Sequence, residues 1–380
     1  FLPASSMAVT VVNWLATHLA RPELLPKLEI RKRIPAELGT MVVVPVLLTD
    51  ADAVDEVLGG LELNYQGNPL EGLGFALLAD PPDADAPILE GEDALLAAAA
   101  EGVRRLNARH GPPGAADEDG PFLLLHRGRR WNPSQGRWMG WERKRGKLME
   151  FGRLVLGESS ELEVEVGSLE RIREVRYALT LDADTFLPQG SVARLVGTAG
   201  HPLSRPAFDG SGGLVAGYTV FQPRVETTPR SAGASYFSRL LEGERGLDLY
   251  SHAVSDVYQD LFGAAIYAGK GIYEVAAFDR TLRDRVPENA ILSHDLFEGE
   301  HGRVALVSDV AVYEDFPESL LGYLRRLHRW ARGDWQLLPW LRRRTPREDG
   351  GRGANPISPL GRWKIADNLR RSLVMPSLLL

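Results

Sequence analysis

The sequence predicts an α/β protein with a mostly parallel central sheet flanked by helices, and three observations predict it. Short apolar runs alternate with helix-period segments through residue 200. The apolar runs are nearly continuous, as in strands buried on both faces. Two of them stop on aspartates, Asp80 and Asp182. In open α/β sheets ligands bind outside the carboxyl ends of the strands, so those stops are where chemistry is sought.

The elements follow in order. Met7 to Leu19 predicts a helix, and Pro22, Pro26 and Pro35 follow it. Met41 to Leu48 is the first strand, and Phe75 to Ala79 the second, closed by Asp80 and a Pro/Asp loop. A helix from Asp93 to Asn107 and a loop from Gly111 to Gly120 lead to the strand Phe122 to Leu125. Leu148, Phe151 and Val155 give 142–156 a helical spacing. Tyr177 to Leu181 and Leu214 to Phe221 are further strands, and 303–313 predicts a hairpin. Three regions result: an N-terminal membrane-proximal segment (1–40), a catalytic domain (41–323), and a basic, Trp-rich interfacial helix with the start of a transmembrane segment (324–380).

Composition narrows the function classes. Over 380 residues, 44% are hydrophobic and 25% charged, which is ordinary for a globular chain. The net charge of −7 excludes nucleic acid as a general partner. With no cysteine there is no disulfide, thiolate metal site or cysteine nucleophile. A first residue Phe1 and a closing apolar run, Ser372 to Leu380, read as a piece of a longer chain.

Four motifs carry chemistry. Asp182-Ala-Asp184 at a strand end suits a hard cation, which takes oxygen ligands and can hold a diphosphate. In an extended segment the two carboxylates point the same way; the bland alternative is a polar turn. Asp295 and Glu298, about 110 residues on, are candidates for a base that takes an acceptor hydroxyl proton, set against a simple helix N-cap. In 324–336, Arg326, Arg329 and Arg332 with Trp330 and Trp335 suit a diphosphate and sugar rings, or a basic helix at a membrane surface. In that last reading Leu338, Trp340 and Leu341 face lipid, with Arg342 to Arg344 among headgroups. Gly263 to Lys270 fails as a P-loop, because its spacing is wrong and Gly271 replaces the Ser or Thr. Two rivals remain: a sugar-nucleotide-forming nucleotidyltransferase, which the absence of glycine in Pro45 to Asp50 disfavours, and a membrane module with vestigial acids.

The order of Asp80, the Asp182-x-Asp184 pair, Ser293-His-Asp295 and Arg326-x-x-Arg329-Trp330 is similar to that of processive family-two-like glycosyltransferases, with Arg326 where glutamine is usual. Longer strings resemble the glycosyltransferase domain of bacterial cyclic β-1,2-glucan synthases. They are Trp131-Asn-Pro-Ser, Gly140 to Leu148, Gly217-Tyr with Gln222-Pro-Arg, Ser255 to Phe262, Gly269 to Tyr273, Pro287 to Leu296 and His328 to Gln336. The resemblance implies a GT-A fold with membrane-proximal C-terminal helices, UDP-glucose as donor, Mg²⁺ or Mn²⁺, and inverting transfer to a growing β-1,2-glucan. It also implies further domains in the same polypeptide, lipid as a partner, and a bacterial inner membrane with the catalytic domain on its cytoplasmic face. Carried over by position, Asp80 contacts uridine and Lys147 faces the nucleotide. Asp182 and Asp184 serve diphosphate and metal, and Asp295 is the base. Gln222, Lys270 and Tyr273 line the acceptor side. A chain grown on the protein needs a priming hydroxyl, for which Tyr250 is the candidate.

Overall fold

The computed structural model describes residues 1–379 except 23, 113–118, 211, 243–250, 253–254 and 292–294. Tyr250, Ser293 and His294 lie outside the described residues. The strands used below are β1 (Thr40–Leu47), β2 (Gly74–Asp80), β3 (Phe122–His126), β4 (Arg130–Asn132), β5 (Arg137–Met139), β6 (Glu163–Val166), β7 (Tyr177–Thr180), β8 (Val220–Thr227), β9 (Gly271–Glu274) and β10 (Val304–Glu314). The helices are α1 (Leu2–Leu19), α2 (Ala51–Gly67), α3 (Glu92–His110), α4 (Arg143–Val155), α5 (Ser191–Gly200), α6 (Asp295–Gly302), α7 (Leu320–Gln336) and α8 (Pro359–Ser372).

The chain divides into two units, residues 26–205 with 270–280, and residues 1–25, 206–269 and 281–380. The first holds a sheet in the order β9-β7-β1-β2-β3-β6. β1 pairs in parallel with β2 and β7, and β2 with β3, while β6 pairs antiparallel with β3 and β9 antiparallel with β7. This is the α/β class the apolar runs predict. The β1 segment Met41-Val-Val-Val44 is buried on both faces, as parallel sheets require. Pro45 falls beyond the last β1–β7 partner, Val43, so its missing N–H faces no second neighbour. Asp50 caps α2 by accepting from the Ala53 N–H at 2.9 Å. The order turns back between β1 and β7, so the switch point lies at their carboxyl ends.

In the other unit β8 and β10 run parallel. Two expectations change here. The predicted hairpin at 303–313 is one strand, β10, whose partner is β8; an irregularity between Pro223 and Arg224 shifts the register by three residues. The predicted strand 214–221 is interrupted at Gly217, which holds a left-handed φ of 71°. α6, α8 and the turn after α7 enclose a core of Phe297, Leu337, Trp340, Ile357, Ile365 and Leu369. Lys364 is 2% exposed there and is satisfied by Glu300 at 2.8 Å and the Ala265 carbonyl at 3.1 Å. No described helix is long and apolar enough to cross a membrane.

Candidate active site

Three carboxyl-terminal strand ends of the sheet gather charge. Asp80 ends β2 and is 1% exposed. Arg127, just past β3, grips it through both oxygens, Nε–Oδ1 at 2.7 Å and Nη2–Oδ2 at 3.0 Å. Lys147 of α4 adds its ammonium 3.3 Å from Oδ2 and donates to the Val46 carbonyl at 2.6 Å. Burial pulls Lys147 down to about 8, against the attraction of Asp80. Gly140 leaves the room: a Cβ there would lie 2.3 Å from the Asp80 carboxylate. Asp80 and Lys147 were expected to meet the nucleotide directly. They lie beneath the surface and face each other, because a buried carboxylate is retained only when paired.

Asp182 follows β7. It does not sit in an extended segment, as the alternation argument supposed. Residues 182–185 form a turn in which the Thr185 N–H donates to the Asp182 carbonyl at 3.0 Å, and Thr185 Oγ1 accepts from the Asp182 N–H at 3.2 Å. Its Oδ1 takes Lys144 at 2.6 Å and its Oδ2 takes Lys270 at 2.7 Å. Burial alone would raise this carboxyl, but the two ammonium groups outweigh it and hold it well below the usual carboxylate range. Lys270, expected on the acceptor side, pairs here with Asp182. Asp184 is exposed at the tip of the turn.

The sequence offered no sign of the brace beneath this turn. Asn64 of α2 donates to the Thr185 carbonyl at 3.1 Å and accepts from the Leu187 N–H at 2.8 Å. Asn68, one helical turn on, accepts from the Val192 N–H at 3.1 Å. Arg127, Asn64 and Asn68 were missed because their partners lie 47 to 124 residues away. α4 itself begins under strain, with Glu142 and Arg143 both at left-handed φ values of 50° and 51°. That start sets the rise of Lys144 and Lys147.

Among the described residues no cluster of three or more His, Asp or Glu could hold a metal. Mg²⁺ is commonly held by one or two carboxylates with substrate phosphates completing the shell. Of the expected pair, Asp182 carries an ammonium on each oxygen, Lys144 at 2.6 Å and Lys270 at 2.7 Å, and Asp184 lies at the exposed tip of the turn.

In the other unit Asp295 opens α6 and is partly exposed. Gly269 lies against it: a Cβ on Gly269 would come within 2.7 to 2.9 Å of the carboxylate. Glu298, the other base candidate, is 2% exposed in the core face of α6. Gln222 was expected on the acceptor side but is buried, with its side-chain oxygen accepting from the Ala268 N–H. Tyr273, in the sheet unit, is a core ring packed 4.4 Å from Phe278. Arg326 reaches Glu314 at 3.9 Å and lies over Trp330 at 5.8 Å. Arg329, Trp330 and Trp335 are exposed on α7, and Trp335 Nε1 donates to Ser372 at 3.0 Å. α7 ends at Gln336, so the basic, Trp-rich stretch from 324 through Arg344 is not one helix, and Trp340 is buried against Phe297 instead of facing lipid.

No protein-family model matches the chain. It is similar to solved structures of S. aureus TarS residues 1–349, alone and in complex with UDP-GlcNAc. The TM-scores are 0.40 and 0.41 at 10% identity, over 88% of this chain and 72% of that one. It is 42% identical over 375 residues to the cyclic β-(1,2)-glucan synthase NdvB of Rhizobium meliloti (strain 1021). That alignment covers 98% of this chain and 13% of the relative. The chain is related to one segment of that cyclic β-(1,2)-glucan synthase.

Proposed function

We propose that the chain transfers glucose from UDP-glucose, with inversion, to a growing β-1,2-glucan at the cytoplasmic face of a bacterial inner membrane. The observation that carries the reading is the 42% identity over nearly the whole chain to a cyclic β-(1,2)-glucan synthase. The Asp182 turn supports it, with two lysines at the carboxyl end of β7 where an α/β sheet takes ligands. Asp182 and Asp184 would hold Mg²⁺ or Mn²⁺, which would neutralise charge on the departing diphosphate. Asp182, held by Lys144 and Lys270, keeps its ionised form and its direction. Asp295 takes the proton of the acceptor hydroxyl. The hydroxyl oxygen bonds to the anomeric carbon as the bond from that carbon to the UDP oxygen breaks. UDP leaves, and an α-linked donor gives a β-linked product. Arg326, Arg329 and Trp330 on α7 serve the donor phosphates and the sugar rings. Tyr250 remains the proposed primer. Residues 41–323 form the catalytic region in this reading, and 324–380 the membrane-facing one.

The test is incubation of the chain with UDP-glucose, Mg²⁺ and a β-1,2-gluco-oligosaccharide, followed by NMR of the product. New β-1,2 linkages that vanish with EDTA are expected. Consumption of another nucleotide sugar while UDP-glucose stays intact would overturn the donor assignment.

A further inference from the structure

The β4–β5 hairpin carries aromatic surface that the donor site does not use. Trp131 and Trp138 stand opposite each other across the two strands, edge to face with ring centroids 5.8 Å apart. Trp131 is 51% exposed. An indole left half in water adds little to folding, and Trp131 offers its ring to solvent on a short hairpin.

The hairpin is held rigidly. Trp138 and Ala84 exchange both backbone hydrogen bonds at 2.9 Å, which fastens β5 to the loop after β2. The Asn132 side chain closes the turn by accepting from the N–H groups of Ser134 and Gln135 at 3.0 and 3.1 Å. Arg129, just before β4, donates to the Pro82 carbonyl at 2.6 Å and pairs with Glu92. Met139, the last residue of β5, is buried, and Gly140 after it meets Asp80. The rings are therefore presented on a backbone fixed at both ends and continuous with the Asp80 group.

Charge selects the ligand. Arg130 is balanced by Glu161 at 3.5 Å and Arg137 by Asp85 at 3.7 Å. A diphosphate needs uncompensated cations. Flat apolar rings bordered by paired polar groups suit a neutral polyol, whose sugar ring offers a C–H face to the indole and hydroxyls to its rim.

We propose that the β4–β5 hairpin is a binding site for a neutral glucan chain, with one pyranose ring stacked on Trp131 and Trp138 flanking it. Arg130 and Arg137 donate to the hydroxyls along the rim. The step from a neutral polyol to a β-1,2-glucan rests on the function proposed above.

Titration of the full chain with a linear β-1,2-gluco-oligosaccharide, beside a separate titration with UDP-glucose, tests the site. Trp131→Ala is expected to weaken oligosaccharide binding about tenfold, equivalent to about 1.4 kcal/mol, and to leave UDP-glucose affinity unchanged. Trp131→Phe, which keeps a ring, should retain most of the affinity. Wild-type oligosaccharide affinity in Trp131→Ala overturns the proposal. So does a loss confined to UDP-glucose, which would make the hairpin a nucleoside platform, or absence of oligosaccharide binding by the wild type. Failure of the wild type to turn over UDP-glucose overturns the donor reading and leaves this binding result intact.

Discussion

Lys270 Nζ lies 2.7 Å from Asp182 Oδ2, opposite Lys144 on Oδ1, so a single carboxylate ties the start of α4 to β9. The pairing depresses the Asp182 carboxyl. A depressed carboxyl contributes stability above its unfolded value of about 3.9, and that contribution is lost as pH falls through the folded value. Asp182→Asn should therefore be less stable than wild type near neutrality, with the gap closing below about pH 4. Urea unfolding across that range measures it. A gap independent of pH would show that the two lysines do not act through ionised Asp182.

The Asp80–Arg127 pair makes a second, sharper prediction. Both side chains are 1% exposed or less. Removing Arg127 leaves the buried Asp80 with Lys147 alone, 3.3 Å away, and breaking a buried pair costs about 3–5 kcal/mol. Arg127→Met should show that loss in urea unfolding. Adding Asp80→Asn should cost less than Asp80→Asn alone, because Arg127 is no longer left beside a neutral partner and only Lys147 loses its carboxylate. If the double variant loses the sum of the two single losses, the pair is not coupled.

Lys147 responds to pH in the same sense as Asp182 but in a higher window. Its folded value, about 8, lies below the ordinary 10.5. The folded state thus binds fewer protons than the unfolded state between those values, and stability rises with pH across that window. The full gain is on the order of 3 kcal/mol. Lys147→Met should flatten the rise, measured by unfolding from about pH 8 to about pH 10.5. An unchanged slope would assign the rise to other groups.

Trp340 shows where sequence reasoning loses its grip. Read in a basic segment rich in Trp, it looks interfacial. The structure seats it edge-on to Phe297 at 5.2 Å, 2% exposed. Trp340→Ala should then cost about 3–5 kcal/mol in unfolding, as large core deletions do. Arg342, Arg343 and Arg344 are exposed. Their replacement by Gln should leave stability alone and weaken binding to anionic vesicles by about 1 kcal/mol per charge. Co-sedimentation separates the two sets. Loss of vesicle binding in Trp340→Ala with unchanged stability would restore the interfacial reading.

The strands were legible because apolar runs such as Met41 to Val44 and Phe75 to Ala79 report burial directly. Asp80 and Asp182 were legible as strand ends. Their partners were not, because Arg127, Asn64 and Lys270 reach them only after the sheet is assembled. Gln222 and Tyr273 were assigned by position in a string, which says nothing about burial. Both turned inward, where their polar atoms and rings are needed for packing.

Gly269 bears most directly on the chemistry. It holds a left-handed φ of 77°, and a Cβ there would fall 2.7 Å from Asp295 Oδ1. Gly269→Ala must therefore displace either the segment or the carboxylate, besides straining its own backbone. If Asp295 is the base, a displacement near 1 Å is worth roughly a hundredfold in transfer. Asp295→Asn keeps the shape but cannot accept a proton, so it should abolish transfer while UDP binding stays near normal. Gly269→Ala should resemble it, with kcat reduced and UDP affinity retained. Raising pH should not rescue either variant, since Asp295→Asn has no basic form and Gly269→Ala has lost position. Single-turnover transfer and equilibrium UDP binding, measured on both variants, decide the point. Full transfer by Gly269→Ala would remove Asp295 from the reaction, and parallel loss of UDP affinity in both would make it a donor-site residue.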